Sequence, residues 1–415
     1  MGVAGLVQVV AVRRLRWLAV ATCSALAAVG ALATSGPPTL ASPLPSAGTS
    51  FDPESVTFAS LSTGWALGTA PCAPGGMCLA LRETTDAGRS WSSRPLPASL
   101  VGAADRKVDG APADLWGGFE FGLNVRFADA GDGWIYGGLA VPGSVGPILW
   151  STHDGGLSWR EQPTARLTWS IFDLEAATGR VYLMAEKTGW AGVTVESSPV
   201  ARDDWHAVLA LGNNAGGAEP SGTIVLQGRH GWLVEGNDRG TAGSARLDSD
   251  GQWAPWAPPC ASVGNSFAAP AASGASDLVA VCVMGGFASG LSKAAPPGAV
   301  VGSSWLYFSD NGGRTFEAGP ELGPRGYSFG DVLASPAPGV VLLSRAHFGN
   351  SELNEQDLRA SFDGGHHWTV VYRGQLFYLG FTSPAQGVGI VQSSKRTTTM
   401  IMTFDGGHHW APVTF

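Results

Sequence analysis

Apolar residues in this chain come in short runs, about four to seven residues long, separated by small polar turns. Runs of that length bounded by Gly, Asn, Asp and Ser predict β-strands, not helices. The runs are grouped. Residues 56–59, 65–68 and 79–83 form three, and a fourth passes through Trp91. The same order repeats at 125–128, 133–137 and 148–152, with a fourth run opening at Trp159. A third unit starts near Ile171 and continues through 181–183, 192–195 and 205–208. A fourth holds 223–227, 231–234 and 244–248, then a shortened turn to Trp253. In the fifth, 278–283 and 304–309 flank a Gly/Ala/Pro insertion. The sixth holds 327–333, 339–344 and 358–362, and the seventh 376–382, 387–392, 398–404 and 410–415. Four short strands per unit, repeated over residues 55–415, predict an all-β, seven-bladed β-propeller with four-stranded blades. No extra strand follows the last unit. The ring is therefore expected to close by packing of its first and last blades, or by residues near Phe51 joining the last sheet.

A turn recurs between the third and fourth strands. Phe404-Asp405-Gly406-Gly407-His408-His409-Trp410 ends the chain's last unit, and Phe362-Asp363-Gly364-Gly365-His366-His367-Trp368 nearly copies it. Thr85-Asp86-Ala87-Gly88-Arg89-Ser90-Trp91 and His153-Asp154-Gly155-Gly156-Leu157-Ser158-Trp159 follow the same rule. So does Asp310-Asn311-Gly312-Gly313-Arg314-Thr315-Phe316, with Asn311 for the aspartate. A Ser or Thr stands two residues before each: Thr84, Thr152, Ser309, Ser361 and Thr403. The acceptor side chain suits backbone N–H groups ahead of it in a tight turn. The glycine suits a positive φ, and the aromatic folds back over the hairpin. Units three and four carry decayed versions, 201–204 and 250–253.

These residues resemble the Asp-box, or BNR repeat. It occurs in sialidases, sortilin-type receptors, some xyloglucan hydrolases and photosystem II assembly factor propellers. The Gly-Trp pair opening the second strand, as at Gly64-Trp65, Gly133-Trp134 and Gly231-Trp232, is similar to the assembly-factor-like bacterial propellers. The resemblance implies a propeller over residues 55–415, with Asp86, Asp154, Asn311, Asp363 and Asp405 as structural residues at the blade periphery. It implies little about function, since one fold serves many.

The remaining features place the chain. Arg13, Arg14 and Arg16 precede an apolar run, 17–33, that ends in Ala31-Leu32-Ala33. This reads as a helical secretory signal, or an uncleaved anchor, over residues 1–33. A Pro/Ser/Ala-rich linker follows at 34–54. The expected location is secreted, cell-surface or periplasmic. Membrane association is expected only through an uncleaved N-terminal segment. A net charge of −8 and the lack of a basic run beyond the N-terminus argue against nucleic acid. Four cysteines remain past the leader: Cys72, Cys78, Cys260 and Cys282. An even count in an exported chain favours disulfides. Of the three pairings, Cys72–Cys78 and Cys260–Cys282 are favoured, with free buried thiols as the alternative. No CxxC spacing or neighbouring His points to a metal, and no cofactor is expected.

Candidate chemistry follows from where loops emerge. Connections between second and third strands, and between blades, share one face of a propeller. That face is expected to carry Arg106, Lys107, Asp109, Asp114, Trp116, Phe119 and Phe121 in an insertion at 97–122. It also carries His347, Glu352 and Glu355 in one loop, and Lys395 and Arg396 in another. Exposed aromatics among charges are an interaction signature. A sialidase needs three arginines and a Tyr–Glu pair. In that family the first arginine lies in a Phe/Tyr-Arg-Ile-Pro stretch before the first Asp-box. Here the exported chain before Asp86 offers only Arg82, inside a strand. Tyr307, Tyr327, Tyr372 and Tyr378 have no such context. His366, His367, His408 and His409 sit in turns and read as turn residues. Trp65, Trp134 and Trp232 share one repeat position and read as core. The expected function is a non-catalytic recognition or assembly scaffold for an unidentified protein or glycan, with a sialidase-like glycoside hydrolase as the alternative.

Overall fold

The structure is a computed structural model. It describes residues 15–17 (backbone only), 51–72, 76–101, 122–138, 146–164, 167, 171–186, 192–212, 221–237, 240–261, 263, 266–283, 304–322, 332–344, 357–392 and 397–415. The rest of the 1–33 leader and nearly all of the 34–54 linker lie outside these residues. No helix among the described residues is long and apolar enough to cross a membrane.

Seven antiparallel sheets follow one another along the chain, each built from four consecutive strands. Blade 1 runs Asp52–Phe58, Gly64–Cys72, Gly76–Thr84 and Ser92–Arg94. Blade 2 runs Leu123–Phe127, Gly133–Gly138, Pro147–Thr152 and Arg160–Glu161. Blade 3 is Ile171–Ala177, Arg180–Glu186, Val193–Pro199 and His206–Leu211. Blade 4 is Ser221–Gln227, His230–Asn237, Gly240–Leu247 and Trp253–Pro255. Blade 5 is Phe267–Ala272, Leu278–Val283, Ser304–Ser309 and Glu317–Glu321. Blade 6 is Val332–Ala334, Val341–Ser344, Asp357–Ser361 and Thr369–Arg373. Blade 7 is Gln375–Phe381, Gly387–Gln392, Thr398–Thr403 and Ala411–Pro412. The molecule is a seven-bladed β-propeller. A short extended segment, Leu15–Trp17, pairs in parallel with the innermost strand of blade 7.

Two expectations need correction. The fifth unit begins one strand earlier than its pattern suggests, at Phe267–Ala272, which pairs with Leu278–Val283. The last strand is shorter than 410–415: Ala411 and Pro412 pair with Met402 and Ile401, and just past them the Val413 N–H donates to the Met400 carbonyl (2.8 Å). The described part of the innermost strand of blade 6 is Val332–Ala334; the expected start at 327 lies outside the described residues.

The core lies between blades. Trp65, Trp134 and Trp232 are fully buried, each at the same place on a second strand. Trp65 stacks on Phe127 of the next blade with ring centroids 3.7 Å apart. Apart from the short Leu15–Trp17 segment on blade 7, among the described residues no strand from one end of the chain enters the sheet of the other. Side chains close the ring instead. Phe415 packs against Phe51 at 4.5 Å and Trp91 at 4.9 Å, in a cluster with Val56, Phe58, Tyr378, Met400 and Met402. Near the axis, innermost strands also bond across blades. The Val125 N–H donates to Ser55 Oγ (3.1 Å), and the Ile224 N–H donates to Asp173 Oδ2 (2.9 Å). Arg126 of blade 2 pairs with Glu175 of blade 3.

Candidate functional site

A propeller presents two faces, and the recurring turn occupies one of them. Around the acceptor residue its hydrogen bonds follow one pattern in each good copy, while the indole of Trp159 alone among the four turn tryptophans donates to Pro95 and not to its own turn. Thr84 Oγ1 donates to Asp86 Oδ1 (2.8 Å) and accepts from the Gly88 N–H (2.9 Å). The other groups on Asp86 come from Ser90, through its N–H (2.9 Å) and its Oγ (2.6 Å). Trp91 Nε1 donates back to the Gly88 carbonyl (3.2 Å). In blades 6 and 7 a histidine replaces the serine: His367 Nδ1 lies 2.5 Å from Asp363 and His409 Nδ1 lies 2.6 Å from Asp405. These bonds have an electrostatic signature. The Ser90 hydroxyl and N–H hold the Asp86 carboxyl down at about 2, and the Ser158 pair does the same for Asp154. At Asp405 burial opposes the charge, but the His409 and Thr403 bonds outweigh it and hold the carboxyl at about 2. The turn carboxylates are thus committed to their own hairpins, as the sequence pattern implies.

The turn needs two successive left-handed residues. Gly155 and Gly156 have φ of 74° and 86°, and Gly406 and Gly407 have 75° and 95°. Blade 1 places Ala87 at the first of these positions, with φ of 63°. A non-glycine residue there costs about 1–2 kcal/mol. Ala87→Gly is therefore expected to raise stability by about 0.5–1 kcal/mol once the added freedom of the unfolded chain is subtracted. The shift in thermal midpoint checks this, and a lowered midpoint would refute it.

The glycines of two of these turns, in blades 2 and 5, also serve the neighbouring blade. Trp65 Nε1 donates to the Gly155 carbonyl (3.3 Å), and Trp232 Nε1 to Gly312 (3.1 Å). Blade 3 breaks the pattern. Counting back from Trp205, Val200 takes the aspartate's place and Arg202 the glycine's. Buried Val200 packs in one cluster with Trp134. The indole N–H groups of Trp134 and Trp205 are left buried with no partner. A different link spans this seam. His153 of blade 2 lies 2.5 Å from Asp132 through Nδ1 and 3.4 Å from Asp203 of blade 3 through Nε2. The corresponding positions in blades 6 and 7 are Phe362 and His408, whose rings stack at 3.7 Å.

The opposite face is where second-to-third-strand and inter-blade connections emerge. Both disulfides stand there. Cys72–Cys78 closes the second-to-third-strand hairpin of blade 1, and Cys260–Cys282 ties the connection entering blade 5 to that blade's second strand. This is the pairing favoured from sequence. The insertion after blade 1 begins with a short helix, Ala98–Val101, whose Leu100 is buried between blades 1 and 2. The twelve expected ligand-face residues all lie outside the described ones: Arg106, Lys107, Asp109, Asp114, Trp116, Phe119, Phe121, His347, Glu352, Glu355, Lys395 and Arg396.

Some groups that a hydrolase would need can be placed. Among the first strands of the seven blades, as far as they are described, Arg126 is the one arginine, and Glu175 holds it. Tyr307 and Tyr372 sit on a third and an outermost strand, away from the axis, and burial raises both phenols above their ordinary range. Tyr378 is on the innermost strand of blade 7 and is buried. Between blades 5 and 6, on the turn face, a cleft of about 200 Å³ is lined by Ser273, Asp277, Phe308, Asp310 and Glu317. Among the described residues no group of three His, Cys, Asp or Glu is arranged to hold a metal ion.

No protein-family model matches the chain, and no curated protein matches it. Solved structures do. An ulvan lyase from a polysaccharide lyase family is 13% identical, with 85% of this chain and 91% of that chain covered and a TM-score of 0.50. The acylaminoacyl peptidase of Pyrococcus horikoshii is 9% identical, covering 88% of this chain and 52% of that chain, with a TM-score of 0.50. A lectin from Burkholderia pseudomallei is 12% identical over 87% of this chain and 98% of that chain, with a TM-score of 0.49. At such identities the likeness is one of fold.

Proposed function

We propose that this protein is an exported, non-catalytic recognition scaffold of the Asp-box type that binds a glycan on the face bearing its two disulfides. The observation that carries the reading is the division of labour between faces. The turn-face carboxylates of Asp86, Asp154, Asp363 and Asp405 are bonded within their own hairpins. Both cross-links brace the other face, from which the insertion with Trp116, Phe119, Phe121, Asp109 and Asp114 emerges. Aromatic rings stack on sugars, and carboxylates accept from vicinal hydroxyls, so this residue set suits a glycan better than a polyanion. Disulfides fit an oxidising compartment outside the cytoplasm. Arg106, Lys107, His347, Glu352, Glu355, Lys395 and Arg396 form the polar remainder of the proposed face.

The test is a glycan array with purified protein, run beside a panel of fluorogenic glycosides that includes a sialoside. The expected result is saturable glycan binding, lost in Trp116→Ala, without turnover. Turnover abolished by replacing a single carboxylate would overturn the reading in favour of a sialidase-like hydrolase. Capture of a protein ligand with no glycan bound would overturn the ligand class.

A further inference from the structure

Blade 3 differs from its neighbours at both of its seams, and at each stands a titratable group in an unusual setting. On the blade 2 side stands His153. Asp132 contacts one ring nitrogen and Asp203 the other. Both carboxylates are well shielded, at 15% and 8% exposure, and Asp203 also accepts from Ser151 Oγ at 3.0 Å. A neutral imidazole has one N–H and can donate to one carboxylate only. Holding both requires the imidazolium. Burial opposes that charge, but the bonds to Asp132 and Asp203 outweigh it and raise the pKa of His153 above its ordinary value. The other charges nearby are Asp129 beside Asp132, Asp154 bonded within its own turn, and Arg202 and Asp204 flanking Asp203.

On the blade 4 side stands Glu235, in the second strand and fully buried. Neither of its oxygens has a partner. It fits because two glycines leave room. A Cβ on Gly212, just past the outermost strand of blade 3, would lie 2.6 Å from Oε1; one on Gly243 would lie 2.8 Å from Oε2. Among the described residues, the strands packed on it offer no compensating cation. The innermost strand of blade 4 carries no charged residue. Arg246 of the third strand reaches the Gly312 carbonyl of blade 5 (3.5 Å) instead. His230 lies at the far end of Glu235's own strand, and His206 at the far end of the outermost strand of blade 3. Blade 3 otherwise contributes Asp173, which is bonded to Ile224, and Glu186. Burial alone pushes the Glu235 carboxyl from 4.5 to about 7.

We propose that blade 3 is a pH-gated segment of the ring, clamped along both seams below neutral pH and released along both above it. The two groups act in the same direction. A raised histidine gives stability that is present below its unfolded value and is lost as pH rises through the folded one. A raised glutamate keeps a proton that the unfolded chain gives up, so its stability also falls from about pH 4.5 to about 7. The innermost strand is held differently, by Arg126–Glu175 and by Asp173 on Ile224. Release therefore concerns the outer part of the blade, around Val193–Pro199 and His206–Leu211.

Hydrogen exchange of the full chain at pH 6 and pH 8, corrected for intrinsic exchange chemistry, tests this. Protection of residues 193–211 is expected to fall about ten-fold from the Glu235 side alone, more with His153, relative to blade 6. Glu235→Gln stays neutral at both values and should remove the glutamate's share. The double variant with His153→Gln should show no pH difference in blade 3. Equal protection at both pH values in the wild type would overturn the proposal. So would a pH difference that persists in the double variant, or one spread evenly over all blades.

Discussion

Arg126→Leu is expected to cost about 3–5 kcal/mol, more than loss of any surface ion pair, because it strands a buried anion. Arg126 and Glu175 are each 1% exposed, on adjacent innermost strands of different blades. Charges so placed gain no help from solvent. Their pairing repays desolvation only while both are present. Removing the cation leaves the Glu175 carboxylate to take up a proton or to draw in water, and either loosens the blade 2–blade 3 seam near the axis. The matched double variant, Arg126→Leu with Glu175→Leu, is expected to recover most of the loss, since an apolar pair asks for no desolvation. Urea denaturation of the wild type, both single variants and the double variant checks this as a thermodynamic cycle. A double variant no more stable than either single one would refute the argument. The same cycle bears on the proposed release of blade 3. With the inner tie cut, that blade should lose protection at pH 6 as well as at pH 8.

How far these features were legible in sequence depends on how local they are. The turn was legible, because Thr84, Asp86, Gly88, Ser90 and Trp91 complete one hydrogen-bonded unit within eight residues. The number of blades followed from counting such units. The first strand of blade 5 was not legible. Phe-Ala-Ala-Pro-Ala-Ala has few β-branched residues, and Pro270 gives no N–H. It succeeds as a strand because an innermost strand is an edge, so the missing donor need not face a neighbour. The outermost strand of blade 7, read as 410–415, was overextended for the related reason that one free edge lets the ladder end early, as at Ala411–Pro412. The His153 clasp was hidden by distance. Its partners stand 21 and 50 residues away, at turn positions where the repeat accepts almost any residue. Glu235 was hidden by its company, since one acid at a strand end looks solvated until the glycines beside it are seen to leave it buried. The candidate recognition face is built from connections, whose lengths and letters follow no period.

Trp65→Ala is expected to cost about 3–5 kcal/mol, the upper range for emptying a core position. The ring is fully buried, stacked on Phe127, and bonded to the Gly155 carbonyl of the next blade. Two milder changes separate these contributions. Trp65→Phe keeps an aromatic body and removes the indole N–H, leaving the Gly155 carbonyl one donor short. Trp134→Phe makes the same change at the equivalent place in blade 2. There the N–H has no acceptor, because blade 3 presents Val200 and Arg202 where other turns present aspartate and glycine. Burying an unpaired donor is itself unfavourable by about 1–3 kcal/mol. Trp134→Phe should therefore be better tolerated than Trp65→Phe, by about 1 kcal/mol or more in paired denaturation curves. Equal losses would mean that the indole bond to the neighbouring turn contributes nothing, and that packing alone joins the blades. The predicted inequality instead makes the turns of blades 2 and 5 devices of two blades: each folds its own hairpin and supplies the acceptor that its neighbour's tryptophan needs. Where blade 3 lost that device, the seam is left to the Arg126 pair near the axis and to the titratable clasp at the rim.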